Sequence, residues 1–505
     1  MRIAAGISAG ILWVLCLALA PAPAIAGAVP AGEESEEDRG LAYKLGDAKI
    51  IFMGDAAFGA FSASNTGFGL GSRSIDNNGA RKGTRQWLEG FVHPIARGLY
   101  DIEGAGQAYA NFSVIAAATR GDGDAALPST TADHPQRVLV EDAVIGWKSG
   151  TAFSSLGFDA IDISAGRQSF SIGDGFLVYD GTQDGGRRAG YVLGHRTAFE
   201  NTAILSINTA PVRADLFRLQ AVSDQILMRG TDNPPSELVG ANIEWFESSR
   251  GERGRYEYSE RKRYVGLTAL YFTSADSTGN LSFASGNGSA LGANRDGLVV
   301  VTGRFGGAPL DALPRFSIYG EAGIQHNDKA QRRVDANAWY IEPQYALPLP
   351  WSPRVVYRYA HFSGDGNPSD RTDRSWDPLF PDTGPRSTGS WTLAEIYGRY
   401  SGLANSNVNV HQVHVRAKPF EDWLFGVILS RFDFDKRAQN AGVTSSGIMD
   451  EVDIYGRWST PIDGLQVMPL VGAARARDGY RQFLGTADAT DRTFWLAEAI
   501  ARYKF

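Results

Sequence analysis

The sequence predicts an all-β protein, a transmembrane antiparallel up-and-down β-barrel of about eighteen strands. Three observations predict it. Apolar and polar residues alternate with period two in segments of about ten residues, the chain opens on an export leader, and it closes on an alternating strand that ends at Phe505.

The alternation is plain from Gln107 onward: Ala108, Ala110, Phe112, Val114 and Ala116 take one face, and Gln107, Tyr109, Asn111 and Ser113 take the other. The same division separates Val239, Ala241, Ile243 and Trp245 from Asn242 and Glu244. It recurs with Phe316, Ile318, Ala322 and Ile324 against Ser317, Glu321 and Gln325, and with Val452, Ile454 and Trp458 against Glu451, Asp453 and Arg457. Helical periodicity is nearly absent. A soluble sandwich would alternate too, with its apolar face toward a core. Two features favour the membrane. The polar face carries charges of both signs through one unbroken succession of strands, and Trp147, Trp245, Trp351, Trp391, Trp423, Trp458 and Trp495 lie near strand ends, where a membrane interface favours them.

Roughly seventeen to nineteen strands can be counted from Lys49 to Phe505, because Trp87 to Thr119 divides in more than one place. Bacterial single-chain barrels have even numbers, which selects about eighteen and a lumen wide enough for an aqueous channel unless loops plug it. Short turns read at 208–211, 417–421 and 460–464. Long loops read at roughly 64–84, 120–136, 171–198, 221–236, 247–261, 275–295, 363–389 and 436–447.

At the start, Arg2, the apolar run Ile11 to Ala20 and the Ala24-Ile25-Ala26 site have signal-peptide layout, so residues 1–26 are expected to be removed. Residues 27–47 read as an acidic, solvated arm around the EESEEDR run at Glu33 to Arg39, and 48–505 as the barrel. The only cysteine, Cys16, falls in the leader, which excludes cysteine nucleophiles and thiolate metal sites from the mature chain. Net charge is −7, with no basic excess of the kind nucleic-acid binding requires. The 59 glycines and 11% aromatic residues, at a mean hydropathy of −0.21, suit a barrel in which only alternate residues are apolar.

At the other end Trp495, Ala497, Ala499, Ala501 and Tyr503 share a face with Phe505, opposite Glu498, Arg502 and Lys504. That pattern resembles the C-terminal signal read by the barrel-assembly machinery, the expected assembly partner, and places the chain in outer-membrane lipid of a Gram-negative bacterium.

Several motifs are similar to those of the alginate export family of outer-membrane porins. They are Gly166-Arg167-Gln168, then Gly173-Asp174-Gly175-Phe176-Leu177-Val178 and His195-Arg196-Thr197-Ala198-Phe199; and Ser363-Gly364-Asp365 followed by Asp377-Pro378-Leu379-Phe380-Pro381, leading into an expected strand from Trp391 to Tyr400 that carries Glu395. Val92-His93-Pro94 looks like the family's second strand, with His93 where Arg is common. The resemblance implies an eighteen-stranded barrel that passes a secreted polysaccharide or a smaller anionic solute, and it favours Arg167, Glu395 and Arg399 as lumenal residues.

A fixed pore needs inward charges, not a nucleophile. Strand parity adds Glu321, Arg358, Arg416, Asp453 and Arg457 as conduit candidates, with wall-stabilising salt bridges as the alternative role for each. Arg167 breaks parity, sharing a face with Ile161, Ile163 and Ala165; either it lies at the interface or a bulge at Gly166 turns it inward, and the bulge is preferred. No catalytic residue, cofactor or metal is expected. His411 and His414 fall on opposite faces, Asp365, Asn367, Asp370 and Asp373 lack calcium-loop spacing, and Gly67, Gly69 and Gly71 lack the Lys-Ser/Thr of a phosphate loop. The expected function is passive diffusion of an alginate-like polysaccharide or anionic solute, with uptake of a small organic solute as the alternative; a periplasmic export partner is left unidentified. A rim enzyme is disfavoured, since no Ser/His arrangement stands out.

Overall fold

In the computed structural model the described residues run from Gly40 to Phe505, except 73–80, 124, 127–133, 183–189, 191, 195, 210, 223–234, 248–262, 276–294, 383–390 and 486–491. The leader, the EESEEDR run and His195 therefore lie outside them. Eighteen antiparallel strands close into a barrel. The stretch that divided ambiguously is two long strands, Arg85–Ile102 and Gly106–Gly121, joined by a turn in which Gly104 and Gly106 both take positive φ.

The wall is inside out relative to a soluble protein. Ile145, Ile243, Ile324, Leu429 and Ile454 are more than half exposed on the outside, whereas Glu321, Gln325, Glu451 and Asp453 are buried on the inside. Lipid solvates the first set. Only a lumen packed with partners can hold the second set, because an unpaired buried charge is costly.

The seam pairs Ala48–Ser64 with Phe494–Lys504, from Asp55 opposite Lys504 to Ser64 opposite Trp495. Phe505 adds the last rung by exchanging two backbone hydrogen bonds with Gly54, at 2.8 and 2.9 Å. A Cβ on Gly54 would stand 2.6 Å from the His93 carbonyl and 2.9 Å from the Phe505 ring, so the close approach of the terminus requires glycine there. Beyond this rung the first strand continues and pairs with Leu41–Leu45, a hairpin strand cut from the end of the acidic arm.

Both ends of the described barrel lie at the rim of short turns, such as 103–105 and 460–464. Strand parity corrects one loop assignment: the connection 247–261 joins Ser236–Phe246 to Tyr264–Ser274 at that same short-turn rim, although most of its residues are outside the described set. The sequence reading also missed a long connection at the opposite rim, between Ala476 and Phe494, which includes a helical turn at Asp478–Phe483.

Candidate functional site

Two long connections fold back into the lumen and pair with each other there. The first runs between the strands Ile161–Gln168 and Phe199–Asn208, the second between Arg354–Phe362 and Val408–Phe420. Val178 bridges Phe380 in parallel: the Phe380 N–H donates to the Leu177 carbonyl, and the Tyr179 and Asp180 N–H groups donate to the Phe380 carbonyl. The Asp382 N–H donates to Gly175. The Gly173–Val178 and Asp377–Pro381 motifs, far apart in sequence, thus form one structure.

Gly173 and Gly175 take positive φ, which lets the tip of the first loop pass close to the wall; a Cβ on Gly173 would meet Arg304 at 3.1 Å. The neighbouring Asp174 accepts from the Tyr340 hydroxyl at 2.7 Å. Phe176 packs edge-on against Trp391 and beside Tyr340, Phe362 and Trp376. Arg295 clamps the second loop by two hydrogen bonds of 2.7 Å to Asp377.

Trp391 to Tyr400, expected as a wall strand, is instead part of this plug. Ile396–Tyr400 is a helical turn whose Ile396, Tyr397 and Tyr400 are fully buried, and Tyr397 stacks on Phe432 of the wall at 3.9 Å. Burial pushes the Tyr397 phenol well above its ordinary pKa. Apolar residues packed into a lumen imitate those that face lipid. Trp391 likewise belongs to no interfacial girdle, since it is buried in the plug.

Three wall carboxylates hold these loops by their backbone amides. Glu89 accepts from Val192 and Leu193 at 2.7 and 2.8 Å, Glu141 from Thr197 and Ala198 at 2.8 and 3.0 Å, and Glu451 from Ile396 and Tyr397 at 2.6 and 2.8 Å. Sequence reasoning missed this role. The only available signal was an acidic residue on the polar face.

The predicted conduit residues fall into two groups. Arg167 does turn inward through a bulge: Gly166 has φ +124°, the register with the next strand shifts there, and the buried guanidinium bonds Glu200 and Thr182. Arg358 pairs with Glu342 at 2.6 Å and lies 4.7 Å over the Trp391 ring. Arg399 pairs with Glu395 at 2.7 Å, both on the plug rather than on a strand. Glu321 is buried opposite Arg304, and Asp453 is fully buried opposite Gly472. These six are joined to packing and loop placement.

Arg416 and Arg457 differ. They lie on the inward face near the short-turn rim, Arg416 partly and Arg457 well exposed to the lumen. Arg354 stands directly opposite Arg416 in the strand register and donates to Gln344 at 3.1 Å. Arg354 and Arg416 on adjacent strands, with Arg457 two strands further on, thus put three cations on the inward face near this rim, while Glu342, Glu395 and Glu451 deeper in the lumen are engaged. The oxygen-rich loop is engaged too: Asp365 accepts from Arg332 and Arg374, and Asp370 from Arg374.

The sequence profile described as "Alginate export" matches residues 195–457, just over half of the chain. The chain belongs to the alginate export family. The family match takes in the second plug loop, Arg354, Arg416 and Arg457, while the first loop's Gly173–Val178 motif precedes it and joins it through the Val178–Phe380 bridge. No curated protein matches the sequence. Among solved structures, the fold is similar to three porins of Pseudomonas aeruginosa. OccK5 (OpdH) aligns at TM-score 0.51 and 9% identity, covering 90% of this chain and 98% of that one. OccK2 (OpdF), solved with glucuronate, aligns at 0.51 and 11%, covering 91% and 96%. OpdK, solved with vanillate, aligns at 0.50 and 11%, covering 90% and 98%. Family and fold are those of an outer-membrane channel.

Proposed function

We propose that this channel passes carboxylated sugars, uronates and their short oligomers, by passive diffusion. The observation that carries the reading is the division of lumenal charge. Glu89 and Glu451 are engaged by loop amides and Glu244 and Glu342 by buried arginines, whereas Arg354, Arg416 and Arg457 gather on the inward face near the short-turn rim, Arg457 the most exposed of the three. Local potential, rather than net charge, sets which solute concentrates there.

A loop-filled lumen favours a short solute over a long polymer, which keeps small-solute uptake as the second reading. The glucuronate and vanillate bound to two porins of like fold are carboxylates and suit the same chemistry. The test is the reversal potential of single channels in a salt gradient. Anion selectivity is expected, falling when Arg354, Arg416 and Arg457 are each replaced by Gln. A cation-selective channel, or one unmoved by the triple replacement, would refute the reading.

A further inference from the structure

The outside of the barrel carries a feature that conduction does not use. His411, Arg431, Asp450 and Arg475 lie opposite one another on four adjacent strands, forming one row across the lipid-facing wall. Arg431 donates to Asp450 at 2.7 Å, and both are about half exposed. Two arginines share the row with one aspartate, and Asp433, which also lines the surface here, is paired with Arg477 at 2.9 Å.

The next row toward the short turns is apolar: Val413, Leu429, Val452 and Ala473, ending at Trp495. Residues of both rows line an open hollow of about 820 Å³, with Ala473 the smallest side chain of the apolar row in it. The height of the row locates it in the membrane. On one strand Arg431 lies eight residues from Trp423, which stacks on Trp458 at the short-turn end. At about 3.3 Å per residue and a tilt of about 40°, that is about 20 Å across the bilayer, close to the roughly 25 Å apolar band of such barrels. The charged row therefore sits at the far edge of the hydrocarbon, level with the headgroups of the leaflet on the loop side, where cations meet lipid phosphate.

We propose that this hollow binds a phosphorylated glycolipid of the outer leaflet, its phosphate on Arg431 and Arg475 and its acyl chains along Leu429, Val452 and Ala473. Guanidinium groups at a low-dielectric boundary suit phosphate, and Asp450 between them holds Arg431 in place for it. The apolar row beneath supplies the chain contact that a free phosphate would not need.

The test is native mass spectrometry of the full barrel in detergent, titrated with a diphosphorylated lipid A-type glycolipid and with its dephosphorylated form. The expected result is one phosphorylated lipid retained, at least tenfold weaker retention by Arg431→Gln/Arg475→Gln, and weaker retention by Ala473→Trp, which fills the hollow without touching charge. Single-channel conductance of both variants should equal that of the parent, which also shows that they fold. Equal binding of the dephosphorylated lipid, unchanged retention by the double variant, or indifference to Ala473→Trp would each overturn the proposal.

Discussion

Replacing Glu451 by Ala should unseat the plug. Glu451 is buried and accepts the Ile396 and Tyr397 amides at 2.6 and 2.8 Å, two hydrogen bonds that tie the helical turn to the wall. A hydrogen bond to a charged group contributes about 1.5–3 kcal/mol, so losing both removes at least about 3 kcal/mol from the seated state. At about 1.4 kcal/mol per tenfold, the ratio of seated to unseated plug falls by at least about a hundredfold. Stacking of Tyr397 on Phe432 remains and limits the excursion. Glu451→Gln keeps one carbonyl oxygen as an acceptor and should give roughly half the effect in free energy. Single-channel recording in planar bilayers reads this directly. The alanine variant should spend far more time in a higher-conductance state, with the glutamine variant between it and the parent. A folded alanine variant with the parent's conductance levels and dwell times would refute the clamp.

Three further outcomes follow from the geometry. Arg304 is buried against Glu244, Asn242 and Thr268 and opposite Glu321, so Arg304→Leu alone should cost about 3–5 kcal/mol in urea unfolding from lipid vesicles, while Arg304→Leu/Glu244→Leu recovers only part of it because Glu321 stays buried without its cation. Gly166→Ala places a Cβ 2.3 Å from the Ala143 carbonyl at φ +124° and should destabilise the barrel by about 1–3 kcal/mol in the same assay. The Thr372 N–H, then Arg374, hold the Asp370 carboxyl below its ordinary value of 3.8. Its contribution to loop order is therefore present above pH 3.8 and is lost as the pH falls through the lower folded value. Hydrogen exchange of residues 367–374 should rise in that acid window, and Asp370→Asn should show the fast exchange already at neutral pH.

The wall was legible because lipid and lumen impose period two on every strand, and Gly166 ahead of an out-of-parity Arg167 signalled a real bulge. The plug was not. Period two reports only that a residue alternates between surroundings, and Trp391, Ile396 and Tyr400 are apolar because they pack inside the lumen, not because they meet lipid. The roles of Glu89, Glu141 and Glu451 depend on loop amides brought from about 55 to 104 residues away, a distance no local pattern encodes. Arg416 and Arg457 were found by parity, yet nothing in the sequence separated them from Arg358 and Arg399, which are locked in pairs.

The central claim is that the water-facing charge of the lumen is cationic and favours carboxylates. Flux into liposomes containing the purified channel tests it most directly, comparing glucuronate with glucose, a neutral sugar of similar size. Faster entry of glucuronate, reduced toward that of glucose by Gln at Arg354, Arg416 and Arg457, is predicted. Equal or slower entry of the uronate would contradict it.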